Sequence, residues 1–197
     1  MRKSKNGGTI LEALRSRHVL FACEGTAEQV IIQCLCEAGE LVVSPERAVR
    51  SRDGRIGTKH KKAKVIQQEF LNTDYRDGLV IARIYDTNPG SFTLDKVYVP
   101  PLGSTLVADF ITSPEIEALI LVRENEWRTF EARRGSDREL NASDWCKQRL
   151  GYRELKKREF LTKYWSDPNV VRKAICDYTS LLGGHKADHL RLSDLLE

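Results

Sequence analysis

The chain has 197 residues, 41% of them apolar and 30% charged, a balance that supports one packed core and excludes wholesale disorder. Its net charge of +4 is mild, and no apolar run approaches the ~18 residues a membrane span needs. Residues 1–8 are basic and polar with no apolar stretch behind them, which excludes an ordinary secretory signal. Five cysteines (Cys23, Cys34, Cys36, Cys146 and Cys176), with no CxxC pair among them, are expected to be reduced and mostly small core residues of a cytoplasmic protein.

Residues 1–17 read as a basic N-terminal arm and residues 18–135 as an α/β core. Residues 18–23 (HVLFAC) are a short apolar run stopped by Glu24-Gly25-Thr26, the pattern of a buried strand ending in a turn. Thr26 is placed to cap a helix, with Glu28 in the first turn, where negative charge suits the helix dipole. Val30, Ile31, Cys34, Leu35 and Ala38 then recur at helical spacing until Gly39 ends the stripe. Residues 41–43 read as a brief second strand, and 61–71 as a helix with Val65, Ile66, Phe70 and Leu71 inward. Between the two, Arg47, Arg50, Arg52, Arg55, Lys59, Lys61, Lys62 and Lys64 stand against one acid, Asp53. Such a run attracts polyanions, nucleic acid among them, although a solvated loop leading into a helix has the same composition.

Residues 79–85 (LVIARIY) are the clearest second core strand, and Asp86-Thr87-Asn88-Pro89-Gly90 ends it in a turn. Residues 96–99 and 105–111 supply further strands. Ser113-Pro114-Glu115 opens a helix, with Ser at the cap and Pro at the first position; Ile116, Leu119, Ile120 and Trp127 line its inner side. Residues 136–197 read as a basic helical C-terminal extension, with helices over 143–150, 155–165 and 168–182. His185 and His189 are the one pair at zinc-ligand spacing, and no cysteine stands close enough in sequence to complete a site.

Alternating strands and helices predict an α/β fold, a mostly parallel central sheet flanked by helices, and place its working surface at the carboxyl ends of the strands. Glu24 and Asp86 both fall at such an end. If the two strands are neighbours, Glu24, Asp86 and Asn88 converge, with Glu28 one helical turn above and Glu115 and Glu117 near. Two carboxylates about 4 Å apart repel by roughly 4 kcal/mol at an effective dielectric near 20, so the cluster requires a cation, a proton or a basic side chain. Mg²⁺ suits oxygen-only donors of this kind and activates water at a phosphate.

These residues resemble a known family. Cys23-Glu24-Gly25-Thr26-Ala27-Glu28 after an apolar strand is similar to the EGxxE-type first motif of Toprim domains, especially the small defence-associated branch near the OLD and RloB nucleases. Ile84-Tyr85-Asp86-Thr87-Asn88 sits where that family has its DxD motif, and 113–121 (SPEIEALIL) is similar to its P-x-x-E segment, with Glu117 at the acidic position. The resemblance implies a compact α/β fold that binds Mg²⁺ or Mn²⁺ for nucleotidyl transfer or strand cleavage, in phage defence or a mobile element. It implies Glu24 as metal ligand or general acid/base, Asp86 as metal ligand, and Glu28, Asn88 and Glu117 as supporting ligands. Asn88 replaces the second acid of DxD, which weakens a second metal position. OLD-type proteins carry an ATPase, but the chain has no G-x-x-x-x-G-K-[ST] motif, so any ATPase is a separate polypeptide.

The expected activity is therefore a metal-dependent nuclease, with a non-catalytic adaptor for a separate ATPase as the alternative. A small-molecule nucleotide enzyme lacks a glycine-rich phosphate cradle, and a serine hydrolase lacks the G-x-S-x-G elbow. Oligomeric state stays open.

Overall fold

The computed structural model describes residues 5–86, 90–95, 105–112, 115–183 and 190–197. The strand expected at 96–99, the cap Ser113, and His185 with His189 lie outside these residues. No helix among the described residues is long and apolar enough to cross a membrane.

The fold is α/β, a parallel sheet flanked by helices with a helical C-terminal region. Strands β1 (His18–Cys23), β2 (Leu79–Tyr85), β3 (Thr105–Ile111) and the short β4 (Leu190–Arg191) lie in that order, each pair parallel. All seven residues of β2 are buried, as a parallel strand covered on both faces requires. Val19, Phe21, Cys23, Val80, Ala82, Ile84, Ala108 and Phe110 enter the larger core. Helix α2 (Thr26–Glu37) and the C-terminal helices pack there. Leu20, Ala22, Leu79 and Ile81 face the other way, against Ile66 and Phe70 of α3 (Ala63–Phe70) and against Leu71 and Tyr75.

Residues 41–43 are not a strand: Leu41 makes only an isolated antiparallel bridge to Leu196. The partner of β1 on its outer edge is instead the basic segment. Ala48 bridges Val19 and Thr58 bridges Ala22, both parallel, while Arg50 and Ile56 close a hairpin between them. Val49 N–H donates to Val19 O, and Thr58 N–H to Phe21 O, each at 2.8 Å. This covers an edge that would otherwise present unpaired backbone groups. Gly57 holds φ +72°, and a Cβ there would lie 2.5 Å from Phe21 O, so glycine is required for the close approach.

The chain thus leaves β1 for one side of the sheet and returns as β2 on the other. In open α/β sheets, that reversal opens a crevice at the carboxyl ends of the two strands.

Other elements differ in detail from the sequence reading. Residues 5–16, expected as an arm, form helix α1 (Lys5–Ser16), whose Ala13 and Leu14 are buried in the main core. The helix expected after Ser113 is divided into α4 (Ala118–Arg123) and α5 (Trp127–Arg134) at Asn125, whose φ of 59° no helix accommodates. The C-terminal region folds as α6 (Ala142–Gln148), α7 (Arg158–Tyr164) and α8 (Pro168–Leu182), with Asp167 capping α8 and Pro168 in its first turn. Cys146, Leu161, Trp165 and Ile175 join the core that β1 and β2 build, and the helices of this region pack against α2 and α4. Cys23, Cys36 and Cys146 are buried free thiols, Cys34 is half-buried and Cys176 exposed.

Candidate functional site

The ends of β1 and β2 are tied together by their acids. Pairing of Cys23 with Ile84 brings Glu24 beside Asp86, and the Asp86 N–H donates to Glu24 Oε2 at 3.0 Å. The other Glu24 oxygen accepts from Lys61 Nζ at 3.1 Å. Burial works against ionisation of Glu24, but the Asp86 amide and Lys61 outweigh it and hold the carboxyl below its ordinary range.

Asp86 Oδ1 accepts from Thr112 Oγ1 at 2.8 Å and from the Ile116 N–H at 3.1 Å, which fixes it to the segment after β3. Burial, then the charge of Glu24, nevertheless raise its pKa. Glu28 is 3% exposed. Its Oε2 accepts the Gly25 N–H at 3.0 Å, so the helix N-cap is Gly25, one residue earlier than the sequence pattern placed it. Burial, with Asp86 and Glu117 adding repulsion, pushes the Glu28 carboxyl up to about 7. Glu117, at the start of α4, is raised by burial, and Lys156 Nζ stands 3.9 Å from its Oε1. Glu115 Oε2 accepts the Ser143 N–H at 3.2 Å.

Glu24, Glu28, Asp86, Glu115 and Glu117 line one open cavity of about 580 Å³, closed on its far side by Asn141, Ser143, Lys147 and Lys156. The acids expected to converge are thus brought to one cleft, except Asn88, which lies outside the described residues.

Thr112, Ser143, Lys147 and Lys156 were not visible as site residues in the sequence. Lys156 sits in a basic run indistinguishable from a solvated helix start, and Ser143 carries no motif. The Ser143 hydroxyl is buried without a hydrogen-bond partner among the described residues, in the wall of this cleft. A hydroxyl so placed can donate to a water or ligand oxygen in the cleft.

The donor set suits a hard divalent cation: carboxylates, a hydroxyl and no thiolate, with more negative charge than Lys61 and Lys156 neutralise. Among the described residues, however, no three acidic, His or Cys side chains are gathered tightly enough to hold an ion as they stand. The reason is in the bonds above. Glu24 is turned onto Lys61 and the Asp86 amide, and Glu28 onto Gly25, so coordination requires new rotamers at Glu24 and Lys61.

The eight basic residues divide into groups. Arg47 is half-buried, donating to Ser16 O and to Asp77 at 3.2 Å, an anchoring role. Arg50, Arg52 and Arg55 are exposed on the hairpin, with Arg50 3.4 Å from Glu37 and Arg55 2.6 Å from Asp53. Lys59 reaches Thr26 Oγ1 at 3.3 Å and Lys61 reaches Glu24, so these two border the cleft. Lys62 and Lys64, at the start of α3, are exposed.

No family model, characterised protein or solved structure matches this chain.

Proposed function

We propose that this chain is a metal-dependent phosphodiesterase of the Toprim type, acting on nucleic acid in the cytoplasm in phage defence or a mobile element. The observation that carries the reading is the burial of Glu28 and Glu117 beside the half-buried Asp86 and Glu24, in a lysine-bordered cleft at the sheet's reversal point. Structural ion pairing alone does not explain it, because the acids outnumber their cationic partners and three of them are raised in pKa.

Glu24, Asp86 and Glu117 would hold Mg²⁺ or Mn²⁺, with Glu28 and Asn88 supporting. When bound, such an ion lowers the pKa of water and stabilises charge on a phosphate oxygen. The chain's own groups do the rest. Asp86 is oriented by Thr112 and the Ile116 amide. Lys61 and Lys156 offer cations to the phosphate from opposite banks, and the Ser143 hydroxyl is placed to donate to an oxygen in the cleft. Exposed cations from Arg50 to Lys64 would hold the flanking backbone.

Titration calorimetry with Mg²⁺ and Mn²⁺ on the wild type and on Glu24→Gln with Asp86→Asn, followed by a cleavage assay on single- and double-stranded DNA and RNA, tests this reading. Metal binding and cleavage are expected in the wild type and absent from the double variant; cleavage that survives Glu24→Gln would refute the mechanism.

A second reading is a non-catalytic nucleic-acid or partner-binding adaptor for a separate ATPase. Lys61 seated on Glu24 and an amide at Asn88 favour it. It predicts nucleic-acid or partner binding by the wild type with no heat of metal binding.

A further inference from the structure

A second concavity, about 620 Å³, runs between α2 and α7. Its floor is apolar, from Val30, Cys34, Trp165 and Pro168, and Arg55 and Arg158 stand at its rim. The volume is that of a small-ligand site, ample for one nucleotide.

The charges there are unbalanced. Arg158 donates to the neutral Gln29 Oε1 and has no carboxylate partner among the described residues. Burial, then the like charge of Arg55, lower its pKa, and the charge of Asp53 offsets this only in part. The Arg55–Asp53 pair is solvent-exposed, so it constrains Arg55 weakly. The acid on this groove, Glu37, is already engaged by Arg50 at 3.4 Å and by Gln33 Nε2 at 3.2 Å. An anion is the complement of such a rim.

The groove neighbours the acidic cleft along α2, although the two share no lining residue. Lys156 lines the cleft and Arg158, two residues on, lines the groove; α2 supplies Glu28 to one and Cys34 to the other. Six residues of helix span about 9 Å, which roughly two nucleotides of an unstacked strand cover, since unstacking lengthens the ~3.4 Å spacing of a duplex strand.

We propose that this groove binds one unstacked nucleotide of a single-stranded nucleic acid whose neighbouring backbone occupies the acidic cleft, with phosphate on Arg55 and Arg158 and the base against Val30, Cys34 and Pro168. The proposal rests on the nucleic-acid reading above and narrows the substrate to a single strand. A duplex keeps its base faces stacked and cannot offer one to an apolar floor.

The test uses fluorescence anisotropy in EDTA, with a labelled oligothymidylate and a matching abasic sugar-phosphate strand as probes. Thr162→Trp fills the groove and Arg55→Glu reverses its rim; both positions are exposed, so neither substitution threatens folding. The wild type is expected to prefer the base-bearing strand by ~10-fold. Thr162→Trp should erase that preference, and Arg55→Glu should weaken both probes. No preference in the wild type, a preference untouched by Thr162→Trp, or equal competition by polyglutamate would each overturn the proposal. Metal-dependent cleavage without base preference would remove the groove and leave the nuclease reading intact. Base preference without metal binding would do the reverse.

Discussion

Replacing Glu28 by Gln removes a charge that the folded chain holds at a disadvantage. Burial, reinforced by Asp86 and Glu117, raises its carboxyl from 4.5 to about 7. That difference corresponds to about 3 kcal/mol of preference for the protonated form in the folded state. Because the folded pKa is the higher one, the folded chain binds the proton more tightly than the unfolded chain. The stability from this group is complete below about pH 4.5, falls as pH rises, and is lost above about pH 7. Glutamine keeps an oxygen for the Gly25 N–H, so the cap survives and only the titration is deleted. At about pH 8 the Glu28→Gln protein should therefore be more stable by about 3 kcal/mol, or roughly 6–12 °C in melting temperature for a chain of this size. At about pH 4.5 the two proteins should melt together. Thermal denaturation followed by circular dichroism across this range is the assay. Mg²⁺ at the high end should raise the wild-type melting temperature more than that of the variant, since only the wild type gains a carboxylate partner. A wild-type-to-variant difference that does not change with pH would refute the reasoning, because Glu28 would then titrate alike in the folded and unfolded chain.

Gly57→Ala should destabilise by at least about 2 kcal/mol in urea denaturation, since it forces a side chain into the left-handed region and against Phe21 O. An unchanged midpoint would mean that the basic segment is not held against β1. Ser143→Ala should leave stability equal or slightly higher, because it deletes a buried unpartnered hydroxyl, while weakening metal-supported phosphate binding measured by calorimetry. A substantial loss of stability would show that the hydroxyl has a structural partner. Lys61→Met should change stability by less than about 1 kcal/mol, as expected for a partly exposed pair with Glu24, and a larger loss in a melt would contradict that assignment. Replacing Arg50, Arg52 and Arg55 together by Ala should flatten the salt dependence of oligonucleotide binding by about one unit of slope for each phosphate that the hairpin neutralises. An unaltered slope would take the hairpin out of the interface.

Much of this arrangement is legible in the order of residues. A buried strand announces itself by a mostly apolar run, as in HVLFAC and in LVIARIY with its single Arg83, and an acid directly after each run marks the strand's carboxyl end. Glu24, Glu28 and Asp86 could be placed for that reason, because strand direction and the next turn are local properties. The start of α8 was equally local, set by Asp167 and Pro168. The basic segment was visible as charge but not as an edge. Its pairing with β1 rests on single bridges at Ala48 and Thr58, and an isolated bridge leaves no alternation to detect. Nor did composition reveal that residues 5–16 would bury Ala13 and Leu14, since a short helix draws most of its stability from the surface it packs against.

What the sequence by itself determined is the α/β class and the positions of acids at strand ends. Which acids meet, and what faces them, only the tertiary structure decided. Thr112 reaches Asp86 because β3 pairs with β2, while Ser143 and Lys156 close the cleft because the C-terminal helices bury their apolar faces on the same core as β1. The raised pKa of Glu28 arises at that same level. Its cause is the removal of water and the approach of Asp86, 58 positions away in the chain, and neither is written in the residues around it.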